Sequence, residues 1–223
     1  MLQSSFSRLS LDEDGWCPQV GQQPSPNFGP RPAGSQIDLL VLHNVSLPIG
    51  VFGTPYVADL FCNRLDIGAH PDFASLQGLE VSAHFLLQRD GNFIQFVSTA
   101  QRAWHAGVSA LDGRANCNDY SIGIEIEGSD FVPFEVVQYN RLAELICCLQ
   151  KVYPLRVVCG HEHIAPGRKT DPGPCFDWRL CQQTWRSARY DLLAGDAGGE
   201  QAGCDAKAAS YGLQTELRFL PLA

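Results

Sequence analysis

Two imidazoles and a carboxylate stand out by residue type and by setting. His43 follows the apolar run Ile37 to Leu42, His161 follows Arg156 to Cys159, and Asp171 sits in a loop just before Pro172. Two histidines and one carboxylate are a ligand set that catalytic zinc uses, leaving one coordination position for water. The nine cysteines contribute no C-x-x-C and no two-cysteine, two-histidine spacing, so a closed structural zinc site has no candidate. An ion held by such a set polarises a carbonyl oxygen and lowers the pKa of water from about 15.7 to about 7. Amide hydrolysis then needs a general base and a positive partner for the developing oxyanion. Glu125 or Glu127 offers the first and Lys169 the second. Spacing leaves His161 or His163, and Glu125 or Glu127, open, because residues two apart in a strand share a face.

These groups need elements that bring them together. Open α/β sheets present ligands beyond the carboxyl ends of their strands. Ile37 to Leu42 reads as a strand covered on both faces. A short helix is expected over 54–65, with Thr54 as N-cap and Pro55 at the first helical position. Residues 81–87 and 93–97 read as strands joined at the turn Asp90-Gly91. Tyr120 to Gly128 alternates, with Ile122, Ile124 and Ile126 on one face and Gly123, Glu125 and Glu127 on the other. Leu142, Leu145, Ile146 and Leu149 form one stripe of a helix over 135–151. A strand over 156–159 and a closing helix over 177–194 complete the set. The stretch 160–174, with three prolines and three glycines, reads as a loop without secondary structure, in which Lys169 and Asp171 point to one side.

The order β, α, hairpin, β, α, β, α predicts a mixed α/β fold with a central, mostly mixed-direction sheet packed by helices. Residues 1–36, with Pro24, Pro26, Pro30 and Pro32, are expected as an extended lead-in packed on the domain, and 37–193 as the domain itself. Residues 194–223 are expected as a flexible Ala/Gly-rich tail whose apolar end, Leu217 to Leu222, has no evident purpose.

Composition narrows the partners. Hydrophobic residues at 45% support a sizeable core, and 18% charged is too few for a disordered chain. A net charge of −8 excludes nucleic acid and an anionic membrane as main partners, since both require a basic footprint. No apolar run is long enough to span a bilayer, and the N-terminus has no secretory apolar region. Scattered thiols fit a reducing compartment, so a cytoplasmic location is expected. The protein is also expected to be a monomer.

Several blocks carry a specific resemblance. They are Val41-Leu42-His43-Asn44-Val45-Ser46-Leu47-Pro48, Val81-Ser82-Ala83-His84, Arg102-Ala103-Trp104-His105-Ala106-Gly107, Cys117-Asn118-Asp119-Tyr120-Ser121-Ile122-Gly123-Ile124-Glu125-Ile126-Glu127-Gly128, and the segment from His161 to Trp178. In order and spacing they resemble the AmpD-type 1,6-anhydro-N-acetylmuramyl-L-alanine amidases, within the zinc amidase family that includes phage amidases and peptidoglycan recognition proteins. The resemblance covers about residues 14–190. It implies one Zn2+ per chain on His43, His161 and Asp171, with Glu125 as acid and base and Lys169 stabilising the transition state. It leaves His163 and Glu127 outside the set. The implied reaction is hydrolysis of the amide between the lactyl group of anhydro-N-acetylmuramic acid and L-alanine of an anhydromuropeptide, in peptidoglycan recycling.

Asn44, Trp104, His105 and Ala106 are expected along the substrate wall, and His84 as a hydrogen-bonded core residue. The family often carries a basic residue before the Val81 and Cys117 positions, where this chain has Glu80 and Asn116. Arg114 or Arg168 is therefore expected to take over contacts to the anionic stem peptide. Two other readings compete: an amidase of the same chemistry acting on intact cell wall, and a non-catalytic muropeptide-binding module.

Overall fold

Strands apolar on both faces belong at the centre of a covered sheet, and strands that alternate can leave one face for a cleft. The computed structural model describes residues 8–195 and 217–221. Its strands are β1 (Gly21–Gln22), β2 (Phe28–Gly29), β3 (Leu39–Val45), β4 (Phe85–Leu87), β5 (Phe93–Gln95), β6 (Arg102–Ala103), β7 (Ala110–Leu111), β8 (Arg114–Ala115), β9 (Ser121–Glu127), β10 (Val157–Gly160) and β11 (Arg218–Phe219). Seven form one sheet in the order β1-β5-β4-β9-β3-β10-β11. Within it only β4 and β5 run antiparallel, and the other neighbours are parallel. The sheet is mixed, as the order of elements predicts. Two small ribbons, β2 with β6 and β7 with β8, stand beside it.

The helices are α1 (Tyr56–Phe61), α2 (Val136–Gln150), α3 (His161–Ile164) and α4 (Trp178–Gly195). Leu40 and Leu42 of β3 and Ile122, Ile124 and Ile126 of β9 share one core with Leu142, Leu145, Ile146 and Leu149 of α2 and with Trp178 and Trp185 of α4. Leu39 and Val41 turn the other way, against Ala106, Cys117, Cys159 and Ile164. His43 continues that second face, as Glu125 does on β9 after Ser121 and Gly123. The face away from α2 and α4 therefore carries the chemistry.

Four expectations change. Thr54 does not cap α1; its Oγ1 donates to the Leu47 carbonyl at 2.7 Å, which ties down the preceding loop instead. The helix is also shorter than 54–65, ending at Phe61. The loop after β10 opens with a helical turn, α3, closed by Ala165 N–H donating to the His161 carbonyl at 2.9 Å.

The fourth change concerns the tail. Residues 196–216, 222–223 and, at the other end, 1–7 lie outside the described residues. Residues 217–221 are not a free end. Arg218–Phe219 forms an edge strand parallel to β10, with Arg218 N–H on the Arg156 carbonyl and Leu220 N–H on the Val158 carbonyl, both at 2.9 Å. Phe219 is 1% exposed and packs 5.3 Å, centroid to centroid, from Trp185. A Phe219→Ala variant is expected to lose about 3 kcal/mol of stability, the usual cost of emptying a buried aromatic site. Urea unfolding measures it, and an unchanged midpoint would mean the strand contributes nothing.

Candidate metal centre and cleft

Strand register does most of the assembly. In the β3–β9 pairing His43 lies opposite Glu125, and in the β3–β10 pairing Leu42 lies opposite Gly160. His161, the next residue, therefore comes up beside His43. The loop then returns Asp171 to the same place, its carbonyl accepting the Glu162 N–H at 3.0 Å. His43 Nδ1 and His161 Nδ1 are 3.0 Å apart, and Asp171 Oδ2 lies 2.8 Å from the first and 3.1 Å from the second. The two histidines are each 2% exposed.

Hydrogen bonding tests whether this cluster suits a cation. His161 Nε2 lies 3.0 Å from the Ala106 carbonyl, which can only accept, so Nε2 carries the proton and a neutral ring turns its Nδ1 lone pair inward. Three ligand atoms lie within 4.8 Å of one another, one each from His43, His161 and Asp171. Buried lone pairs aimed at one point are costly without a positive centre between them, a metal ion or, in its absence, a proton shared with Asp171. The group can hold a metal ion. Burial would raise the Asp171 carboxyl, but His161 and His43 outweigh it and hold it well below the usual range.

Glu125 is the other unusual group. Its Oε2 is shut from solvent with no hydrogen-bond partner among the described residues. Burial, and then the charge of Asp171, push its pKa well above the ordinary carboxylate value, against a smaller opposing pull from Lys169. An unpartnered carboxyl with a raised pKa beside a ligand cluster suits proton transfer.

The two neighbours that spacing left open are occupied elsewhere. Glu127 is 3% exposed, and its Oε1 and Oε2 accept the backbone N–H groups of Gly53 at 2.5 Å and Arg89 at 3.0 Å. His163 turns back in α3, where its Nδ1 accepts the Gly160 N–H at 2.9 Å and its ring meets Trp178 edge-on at 5.5 Å. His84 is fully buried, with Nδ1 accepting the Gly123 N–H and Nε2 donating to the Gln101 carbonyl, each at 3.0 Å. Burial, followed by nearby Arg31, pushes it down to about 3.

The cluster opens into a cleft of about 800 Å3 that Asn44, Trp104, His105, Arg168 and Lys169 also line. Two of the expected substrate contacts, Ala106 and Arg114, need correction, while His105 lies at the cleft as expected. Ala106 is fully buried, and its carbonyl is taken by His161 and by Arg168 Nη2, both at 3.0 Å. His105 borders the cleft, but its Nδ1 lies 3.0 Å from His43 Nε2, so it faces a ligand as much as a substrate. Arg114 does not line the cleft. It pairs with Asp38 at 2.7 Å and covers the Tyr120 ring at 3.8 Å, and Asp38 precedes β3 at the end opposite His43.

Asn44 donates to Asp130 Oδ1 at 2.7 Å and to the Pro172 carbonyl at 3.0 Å, pinning the loop that bears Asp171. Asp130, which also accepts from Thr170 Oγ1 at 2.8 Å, was not singled out from the sequence, because its turn has no periodicity to give it a direction. Of the two departures from the family pattern, Glu80 lines the cleft.

Comparison with known proteins agrees with this arrangement. Residues 33–174 match the family model described as N-acetylmuramoyl-L-alanine amidase. The 1,6-anhydro-N-acetylmuramyl-L-alanine amidase AmpD of Citrobacter freundii is 49% identical over 172 residues, 76% of this chain and 91% of the relative. A crystal structure of a selenomethionine AmpD derivative matches with a TM-score of 0.75 at 47% identity, covering 78% of this chain and 98% of that one. The amidase AmiD of E. coli, in complex with anhydro-N-acetylmuramic acid-L-Ala-D-gamma-Glu-L-Lys, matches with a TM-score of 0.50 at 26% identity, covering 94% and 81%. With the match spanning β3 to the Asp171 loop, and with relatives near half identical along almost their whole length, the chain belongs to the N-acetylmuramoyl-L-alanine amidase family.

Proposed function

We propose that this protein hydrolyses the amide between the lactyl group of 1,6-anhydro-N-acetylmuramic acid and L-alanine in muropeptides, as a cytoplasmic step of peptidoglycan recycling. The observation that carries the reading is the convergence of His43 Nδ1, His161 Nδ1 and Asp171 Oδ2 beside the orphaned Glu125 carboxyl. The AmpD relatives are named for this bond, and the AmiD structure holds a ligand that contains it. The eight described cysteines are all free thiols, the state that a reducing compartment maintains.

His43, His161 and Asp171 would hold one zinc ion, two nitrogens and one oxygen being a donor set that catalytic zinc uses. When bound, zinc supplies a Lewis acid that polarises a carbonyl oxygen and acidifies water. Glu125 accepts the proton of the attacking water and passes it to the alanine nitrogen as the C–N bond breaks. A carboxyl with a raised pKa suits both duties, since it is basic enough to take the proton and acidic enough to release it. The Lys169 ammonium meets the negative charge that grows on the carbonyl oxygen. The cleft walls hold the sugar and stem peptide so that the carbonyl stays aligned.

The test is release of L-Ala-peptide from anhydro-N-acetylmuramyl-tripeptide, with and without a chelator, followed by zinc add-back, beside intact sacculi. Release from the small substrate, lost with the chelator and restored by zinc, is expected. Release from sacculi alone would make this a wall amidase, and binding without release a muropeptide-binding module. Lys169→Ala is expected to lower kcat by about 10²-fold with KM little changed, because its charge matters only as the oxyanion develops. Steady-state kinetics on the same substrate checks this, and an unchanged kcat would remove Lys169 from the mechanism.

A further inference from the structure

The segment Trp104–Gly107 borders the cleft, yet two of its polar atoms, His105 Nδ1 and the Ala106 carbonyl, meet the two histidines. We infer that His105 and Asn118 are positioning residues that fix both histidines of the metal centre through this one loop, an inference that rests on the metal reading proposed above. His105 Nδ1 lies 3.0 Å from His43 Nε2, and its other nitrogen, Nε2, lies 3.1 Å from Ser121 Oγ on β9. The imidazole is therefore tied at both ends. The next residue reaches the second histidine by its backbone, the Ala106 carbonyl accepting from His161 Nε2 at 3.0 Å.

A single side-chain atom links the backbones of those two residues. Asn118 Oδ1 accepts the backbone N–H of His105 at 3.1 Å and that of Ala106 at 2.8 Å. Asn118 is 6% exposed, in the turn Cys117–Asp119 that leads into β9. Gly123 makes room for the arrangement: a Cβ there would stand 2.4 Å from His105 Cγ, so the ring lies directly on the strand backbone. Neither nitrogen of His105 is free for substrate. With His43 Nδ1 given to a metal, its Nε2 carries the proton and donates to His105.

A histidine ligand held by a partner on its far nitrogen keeps its ring angle and gains basicity, and losing such a partner typically costs 10–100-fold in metal affinity. Here both partners belong to residues whose backbone N–H groups share one amide oxygen, beside the separate holds of Ser121 on the ring and Arg168 on the carbonyl. Removing that oxygen loosens both supports together, without touching either ligand.

Zinc affinity, read by competition with a chromophoric chelator, tests this in the full chain. Asn118→Leu and His105→Phe are expected to raise the zinc Kd by about 10–100-fold. Asn118→Asp keeps both the volume and an accepting oxygen and is expected to stay within a few-fold of wild type, so a loss confined to Asn118→Leu, of similar volume without an acceptor, reports the hydrogen bonds and not packing. In 1H–15N spectra of the zinc form, the Nε2–H protons of His43 and His161 should exchange faster in the Leu variant. Ser121→Ala, which leaves the loop and its core intact, serves if the larger changes prevent folding, and a severalfold weaker Kd is expected. Folded Leu and Phe variants, or a Ser121→Ala variant, with wild-type Kd would overturn the positioning role alone. A wild-type protein that binds no zinc would overturn the metal reading as well.

Discussion

Glu125→Gln is expected to lower kcat by about 10²–10⁴-fold, the range that a positioned acid–base group contributes, while zinc content stays at the wild-type level. The amide fills the same volume on β9 but cannot take a proton from water. Metal analysis together with kinetics on the anhydromuropeptide separates this from a ligand defect. Zinc lost along with turnover would move Glu125 from proton transfer to metal binding.

The same variant carries a stability signature. Because folding raises the Glu125 pKa, chiefly through burial, the ionised carboxylate is disfavoured in the native state. The folded protein then binds a proton more tightly than the unfolded one, and stability falls as pH rises above the ordinary carboxylate value. Glutamine never ionises. At neutral pH the metal-free Glu125→Gln protein is therefore expected to melt above the metal-free wild type, in keeping with an active site that trades stability for chemistry. An equal or lower Tm at pH 7, with the gain absent, would show that the buried carboxyl is not strained.

His43→Ala and Asp171→Ala are each expected to abolish zinc retention through dialysis and to bring amide hydrolysis down to background. A catalytic zinc site uses three protein ligands, and removing one leaves two that cannot keep the ion against exchange with solvent. Full zinc in either purified variant would remove that residue from the ligand set. For Asp171 the pH signature has the opposite sign to that of Glu125. Its native pKa is held low by His161 and His43, despite the burial that works against it. It therefore stabilises the metal-free fold above its unfolded pKa, and that contribution is lost as the pH falls through the lower native value. Metal-free Asp171→Ala should thus melt below metal-free wild type at pH 7, and the gap should narrow in acid.

The sequence by itself determined the elements and the ligand types. The stripe Leu142, Leu145, Ile146 and Leu149, the alternation of Ile122, Ile124 and Ile126, and the doubly covered run into His43 are local periodicities, and all lie as their periods require. Spacing could not separate His161 from His163 or Glu125 from Glu127, and the family resemblance, not the period, distinguished them. The tertiary structure supplies the physical grounds. A helical turn begins at His161 and swings His163 back onto the Gly160 N–H, and the distant backbones of Gly53 and Arg89 occupy Glu127. Long-range packing likewise decided that Arg114 pairs with Asp38 at the far end of β3, that Ala106 faces a histidine and not the cleft, and that Phe219 docks against Trp185. A period along the chain says which side of its own element a residue takes. Which partner waits on that side depends on strand register and loop closure across a hundred residues or more, as in the contact of His43 with Asp171, 128 positions apart.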